Sequence, residues 1–309
     1  MPGWAISAYL SWIRFICTEP EPALNINASD HELASDLAVS AGRRLIELRA
    51  DAACAGEDLR KAGDLSAHEF LIGELGRHRP DDAILSEEGK DDLARLTSVR
   101  VWIVDPLDGT REFGEAGRSD WAVHVALWER GDLSAGAVAL PAQGLALSTA
   151  DYEASPAGAA PFPALLPDGQ PELPAGLRIL VSRSRPPAFV QQLAADIGAE
   201  LVPMGSAGAK AAAVIRGEYD AYVHAGGQYE WDSAAPVAVA RAAGLHASRI
   251  DGSPLVYNQA DVSIPDILIC PAWLASGLLS AIALASAPAS LPGPGHHHPP
   301  TPSDPELQP

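Results

Sequence analysis

Between Val101 and Phe113 an apolar run, Val101-Trp102-Ile103-Val104, gives way at once to Asp105-Pro106-Leu107-Asp108-Gly109-Thr110. The run reads as a buried strand, and the chain turns sharply after it. Pro106 fixes its own φ and pushes Asp105 toward an extended conformation. Gly109 can take backbone angles closed to other residues. Two carboxylates so close in sequence, held by a proline and a glycine at the end of a buried strand, can converge on one point. Converging carboxylates repel unless a cation or a proton lies between them, and oxygen ligands suit a hard divalent cation. Taken alone, the same residues are equally an Asp-rich turn between two elements.

Caps and periodicity place the neighbouring elements. Ser29-Asp30-His31-Glu32 reads as a capping box. Leu33, Leu37, Ala41, Leu45 and Leu48 then recur at helical spacing through about Arg49. A second helix is expected over 66–78, with Phe70, Leu71 and Leu75 inward. Asp64 then stands just ahead of that helix, where an aspartate serves as an N-cap. A strand over 83–86 delivers Glu87 and Glu88, and 90–98 reads as a polar loop. The stretch 122–128 alternates as a strand, with Val123, Val125 and Leu127 on one face. His124 falls on the other, as a packed or hydrogen-bonded residue rather than a ligand. Strands over 135–140 and 144–148 continue the sheet as a hairpin. Residues 150–176, rich in Pro, Ala and Gly, read as a connecting loop.

The second half alternates strand and helix. Strands are expected over 178–182, 200–204 and 219–224, and helices over 187–197, 207–216 and 232–242. Strands over 245–250 and 267–270 and a helix over 272–284 complete it. Asp232 opens its helix, where an aspartate is usually a cap.

The chain of 309 residues carries a formal net charge of −19, which argues against binding a nucleic-acid backbone. An anionic small substrate stays open, because a bound divalent ion reverses the local sign. Cys17, Cys54 and Cys270 show neither pairing nor metal-ligand spacing and suit a reducing cytoplasm. The apolar stretch from Trp4 to Cys17 is too short to span a bilayer. It lacks the basic lead and cleavage site of a secretory signal, so no membrane partner is expected. Residues 286–309, with their prolines and His296-His297-His298, read as a disordered tail.

Asp105-Pro106-Leu107-Asp108-Gly109-Thr110 resembles a signature of the inositol monophosphatase superfamily of metal-dependent phosphatases. Two further pieces fit in the same order. Glu87-Glu88 succeeds its strand upstream. Trp231-Asp232-Ser233-Ala234-Ala235, ahead of an apolar helix ending at Ala243-Gly244, resembles the second signature. Arg111-Glu112-Phe113 is similar to the 3'(2'),5'-bisphosphate nucleotidase branch of CysQ type. Inositol phosphatases tend to have a small polar pair there. Ser119–Trp128 and Gly205–Ala211 look like the actinobacterial form of that branch.

The resemblance covers roughly residues 30 to 285 and implies an α/β fold, a layered αβαβα sandwich, often a homodimer and commonly inhibited by lithium. It divides the chain into an extension over 1–28, a half over 29–160 with most metal ligands, and a half over 161–285 with Asp232 and the specificity residues. It implies two or three Mg²⁺ ions. Glu87, Asp105 and the Leu107 carbonyl would hold the first, Asp105, Asp108 and Asp232 the second, and Asp64 a third through water. Thr110, with Asp64, would orient and deprotonate the attacking water, and the N–H groups of Gly109 and Thr110 would face the phosphate.

Candidates for substrate contact are Arg111, Gly205, Ser206, Lys210, His224, Gly226-Gly227-Gln228 and Tyr229. Lys210 or Arg111 would meet a second phosphate, and Tyr229 would stack on a base. The activity implied is removal of the 3'-phosphate of 3'-phosphoadenosine 5'-phosphate, linked to sulfate assimilation in the cytoplasm. Inositol 1-phosphate and fructose 1,6-bisphosphate are the alternative substrates. A catalytically silent metal-binding partner protein is the alternative of another class.

Overall fold

The computed structural model describes residues 14–15, 25, 28–51, 55–153 and 173–286. The tail after Ser286, most of the extension before Ser29 and most of the connecting loop after Glu153 lie outside the described residues.

The first sheet is built from β1 (Arg14–Phe15), β2 (Ala83–Ser86), β3 (Arg100–Asp108), β4 (Ala122–Glu129), β5 (Asp132–Leu140) and β6 (Leu145–Ser148). Its order is β1-β6-β5-β4-β3-β2, with only β2 and β3 parallel. Helices α1 (Asp30–Ala50) and α2 (Gly56–His78) cover one face, and α3 (Thr110–Gly114) and α4 (Ala150–Glu153) are single turns beside it. The second sheet, β10-β11-β9-β7-β8, holds β7 (Arg178–Ser182), β8 (Glu200–Met204), β9 (Ala221–Tyr229), β10 (Leu245–Ser248) and β11 (Ser263–Pro271). Its helices are α5 (Val190–Ile197), α6 (Ala207–Ile215), α7 (Glu230–Ala242) and α8 (Ala272–Ser286).

Strand alternation sorts the side chains into three apolar cores. Trp102, Val104, Val123, Val125 and Leu127 face α1 and α2. Val101, Ile103, Ala122 and Ala126 face the opposite way, into a central core with α6, α7, Tyr222, Ile267 and Ile269. Ile179, Val181, Val223 and Leu268 point outward to α5 and α8. The result is the expected sandwich of two helices, a sheet, two helices, a sheet and two helices.

Several boundaries differ from the sequence expectation. The second helix starts at Gly56, not Ser66, because Leu59, Gly63, Ala67, Leu71 and Leu75 form one buried stripe at four-residue spacing. Asp64 therefore lies inside α2 and is neither ahead of the helix nor its cap. Helix α7 starts at Glu230, so Asp232 is its third residue, and its carboxylate accepts from the Tyr229 N–H at 2.7 Å. A 3-10 turn, Leu93–Thr97, interrupts the expected polar loop. The capping box at Ser29 and Glu32 forms as expected. Among the described residues no helix is long and apolar enough to cross a membrane.

Candidate active site

The β3–β4 register sets the site. Asp105 pairs with His124, but Asp108 pairs with Ala122, so one extra residue bulges from β3. Such a bulge re-aims side chains at the end of a strand. The Asp105 carboxylate accepts from the Leu107 N–H at 3.0 Å, which folds the turn back on itself. Gly109 then adopts φ +87, a left-handed angle that a β-carbon disfavours, and the chain enters α3.

Carboxylates from separate elements meet at this turn. Oxygens of Asp105, Asp108 and Asp232 lie within 4.8 Å of one another. Glu87, delivered by β2, is in hydrogen-bonding contact with Asp105. Asp64, on α2, accepts from the Thr110 hydroxyl at 3.3 Å, and the Leu107 carbonyl is the alternative acceptor at 3.1 Å.

Burial and mutual repulsion move their acidities. Asp105, only 1% exposed, is held well above the usual carboxylate range by burial and then by the charges of Glu87, Asp108 and Asp232. Glu87 stands at the rim as an exposed residue, yet desolvation of its carboxyl and the charges of Asp232, Asp108 and Glu88 push it up to about 7. Asp232 is pushed up to about 6 by burial and by Asp108. Asp64 rises to about 6 through burial and the charge of Glu88.

Asp108 is the exception. Burial pushes it up, but His124, Lys210 and Ser206 bring it below its ordinary value. Its Oδ2 accepts from the Ser206 hydroxyl at 2.5 Å and from the Gly208 N–H at 2.7 Å. Ser206 holds this place at φ +44, a strained angle for a residue with a β-carbon. Its hydroxyl also accepts from Ala209 N–H at 2.9 Å, which caps α6.

The charges that act most on Asp105 are all carboxylates, so a divalent cation would supply the counter-charge it lacks. An all-oxygen donor set at that spacing is the kind that holds Mg²⁺ or Mn²⁺.

The other wall of the cleft is basic. A cavity of about 240 Å³ runs from Glu87, Asp105, Asp108 and Asp232 to Arg111, Arg183, Arg185 and Lys210. Arg183 is held by Glu112 at 2.6 Å and by Glu115 at 2.9 Å. Lys210 is buried, and its ammonium donates to the carbonyls of Ser206, Gly205 and Met204. Burial lowers it to about 8, against the pull of Asp108 and Asp232. His224 also lines the cavity. Its Nε2 is 2.7 Å from the Gly226 carbonyl, and burial lowers it to about 4.

The structure thus brings Glu87, Asp105, Leu107, Asp108, Gly109, Thr110, Arg111, Ser206, Lys210, His224 and Asp232 to one cavity. Asp64 joins it through Thr110. Tyr229 does not line it. That ring is exposed and stacks on Trp231 at 5.0 Å. Arg183 and Arg185 are additions that the sequence reading did not single out. Their signal was Ser182-Arg183-Ser184-Arg185 directly after a strand, since ligands bind beyond the carboxyl ends of strands in α/β sheets.

The inositol monophosphatase family profile matches residues 30–283. The 3'-phosphoadenosine 5'-phosphate phosphatase of Mycobacterium bovis is 52% identical over 252 residues, covering 79% of this chain and 89% of the relative. The 3'(2'),5'-bisphosphate nucleotidase CysQ of Escherichia coli K12 is 31% identical over 202 residues, covering 65% and 80%. Among solved structures, CysQ from Bacteroides thetaiotaomicron, described as a bacterial member of the inositol monophosphatase family, matches with a TM-score of 0.62 and 26% identity. That match covers 80% of this chain and 99% of the other. With its acidic turn, its layers and these matches agreeing, the chain belongs to the inositol monophosphatase family.

Proposed function

We propose that this chain is a Mg²⁺-dependent phosphatase that removes the 3'-phosphate of 3'-phosphoadenosine 5'-phosphate, giving AMP and phosphate. One observation carries the reading: the cleft has two signs, with converging carboxylates at one end and Arg111, Arg183, Arg185 and Lys210 along the other. A bisphosphate matches both ends. Inositol 1-phosphate, with a single phosphate, would leave Arg111 and Arg185 of the basic wall uncompensated. The activity named for the mycobacterial relative supports the same substrate.

In this reading Glu87, Asp105 and the Leu107 carbonyl would hold one ion, Asp105, Asp108 and Asp232 would hold another, and Asp64 would help hold a third. When bound, divalent ions acidify water and stabilise charge on phosphoryl and leaving oxygens. The residues supply the rest. Asp64, raised to about 6, accepts a proton near neutral pH. The Thr110 hydroxyl, 3.3 Å from it, orients the attacking water toward phosphorus. Attack is in line and inverts the phosphorus, with no covalent phosphoenzyme. Lys210 directs its donors to loop carbonyls and lends the substrate only its charge. Arg111 and Arg185 face the cavity and meet the second phosphate. In this reading the reaction clears a by-product of sulfotransfer, a cytoplasmic role in sulfate assimilation that the CysQ relative's name supports.

Turnover of three substrates by the purified protein with Mg²⁺ tests this. 3'-Phosphoadenosine 5'-phosphate is expected to exceed inositol 1-phosphate and fructose 1,6-bisphosphate in kcat/KM by roughly tenfold or more. Faster hydrolysis of inositol 1-phosphate would overturn the assignment.

A further inference from the structure

His124 sits where three acidic segments meet. It is fully buried, and it shares the central face of β4 with Ala122 and Ala126. A polar ring in an alanine-rich layer is costly unless its nitrogens are engaged. Its Nδ1 lies 3.1 Å from the carbonyl oxygen of Trp231, the residue before Asp232. Its Nε2 lies 3.2 Å from Asp108 Oδ2, a charge contact rather than an aligned hydrogen bond. Across the strand pair it is the register partner of Asp105. The residue stands opposite Asp105 in the ladder, and its ring touches the Asp108 carboxylate and braces the backbone leading into Asp232.

The ring has no room to swing away. A β-carbon on Gly208 would fall 2.1 Å from His124 Nε2, so the first turn of α6 presses directly on the imidazole. The Gly208 N–H donates to the same Asp108 oxygen. Ser206, Gly208 and His124 together occupy Oδ2 and leave Oδ1 for a cation.

We propose that His124 is a positioning residue. It ties the Asp108 carboxylate to the Trp231 carbonyl, and so fixes the spacing between the carboxylates of the β3 turn and that of Asp232 on α7. The proposal rests on the reading that these carboxylates hold a divalent ion. Groups that orient ligating residues in this way change metal affinity on the order of 10–100-fold when removed.

The test is Mn²⁺ binding to the metal-stripped full chain, followed by calorimetry and by the Mn²⁺ resonance signal. His124→Phe keeps a planar ring but removes both nitrogens, and is expected to weaken binding by roughly tenfold or more. His124→Gln, with one amide donor, is expected to recover part of the loss. In turnover assays the Mg²⁺ concentration needed for half-maximal rate should rise more than the substrate KM, a split that a general loss of packing does not produce.

Wild-type Mn²⁺ affinity in a folded His124→Phe protein would overturn the proposal. If that variant does not fold, Gly208→Ala reads the same contact from the opposite side, and undiminished affinity there would equally overturn it. Absence of Mn²⁺ binding by the unmodified protein would remove the metal reading itself, a distinct result.

Discussion

Asp105 shows how strongly the site perturbs its own residues. A carboxylate buried beside three others has its folded pKa raised, and so do Glu87, at about 7, and Asp232 and Asp64, at about 6. A group raised on folding binds more protons in the native state than in the unfolded chain. Its contribution is full below the unfolded value, near pH 4, and is lost as pH rises through the folded value. His224, lowered to about 4, acts in the opposite sense between pH 4 and about 6.5. His246, lowered by burial, acts with His224, while His124, raised by Asp108 against its burial, acts with the four carboxylates; above about pH 6.5 the two lowered imidazoles no longer oppose them. The metal-free protein should therefore lose roughly 5 °C or more of thermal midpoint between pH 5 and 7.5. Mg²⁺ should restore most of that loss at pH 7.5 and do little at pH 5, where protons already separate the charges. Asp105→Asn should flatten the profile. A midpoint that climbs across this window in the metal-free wild type would contradict the account. At this scale the sequence was nearly transparent, because Asp105, Asp108, Glu87 and Asp232 stand in motifs whose spacing survives folding. The basic wall was not, since Arg183 and Arg185 look like any exposed arginines until β7 aims their loop at the cavity.

Helix α2 carries Asp64, and Gly63 sets how closely that helix approaches the acidic turn. A β-carbon at Gly63 would meet Phe113 Cε1 at 2.8 Å and Leu107 Cδ2 at 2.9 Å. In a helix interior, glycine costs about 1 kcal/mol relative to alanine, so its presence in this buried stripe marks a close approach. Gly63→Ala gains helix propensity but must push α2 back from Leu107 and Phe113. The 3.3 Å contact between Thr110 and Asp64 then opens. The expected outcome is a fall in kcat of roughly tenfold, about 1.4 kcal/mol, with KM little changed. The thermal midpoint should move by only a few degrees, because propensity and crowding oppose. Unchanged kcat would show that the position of α2 does not govern the reaction. The start of this helix was also where the sequence misled. Gly56 and Gly63 look like breaks in a linear reading, and only the four-residue stripe from Leu59 to Leu75 shows a continuous helix. The strands at 83–86, 178–182 and 200–204, bounded by turn residues and lacking helical spacing, fall where periodicity places them.

The acidic cluster spans the layers of the molecule. Asp105, Asp108 and Glu87 come from the first sheet and its turns, while Asp232 comes with α7 from the far half of the sequence. Between the sheets, α6 and α7 bury alanine-rich faces against Val101, Ile103 and Ala126 on one side and Tyr222, Ile267 and Ile269 on the other. Gly136 of β5 lets α7 come close, for a β-carbon there would lie 2.7 Å from that of Ala238. Such a layer cannot be exposed on one side without losing its core on both, which no linear division of the chain reveals. Unfolding of the Mg²⁺-bound protein in urea should then be one cooperative transition. Tryptophan fluorescence, which includes Trp102 and Trp121 in the α1–α2 core, should change together with far-UV ellipticity over both sheets. Release of Mn²⁺ should track the same curve, since the carboxylates that would hold the ion come from the first sheet and from α7 of the central layer. Metal release at clearly lower urea, with fluorescence still native, would mean that α6 and α7 detach while the first sheet stands. The central layer would then be a hinge rather than the shared core that holds Asp232 against the acidic turn.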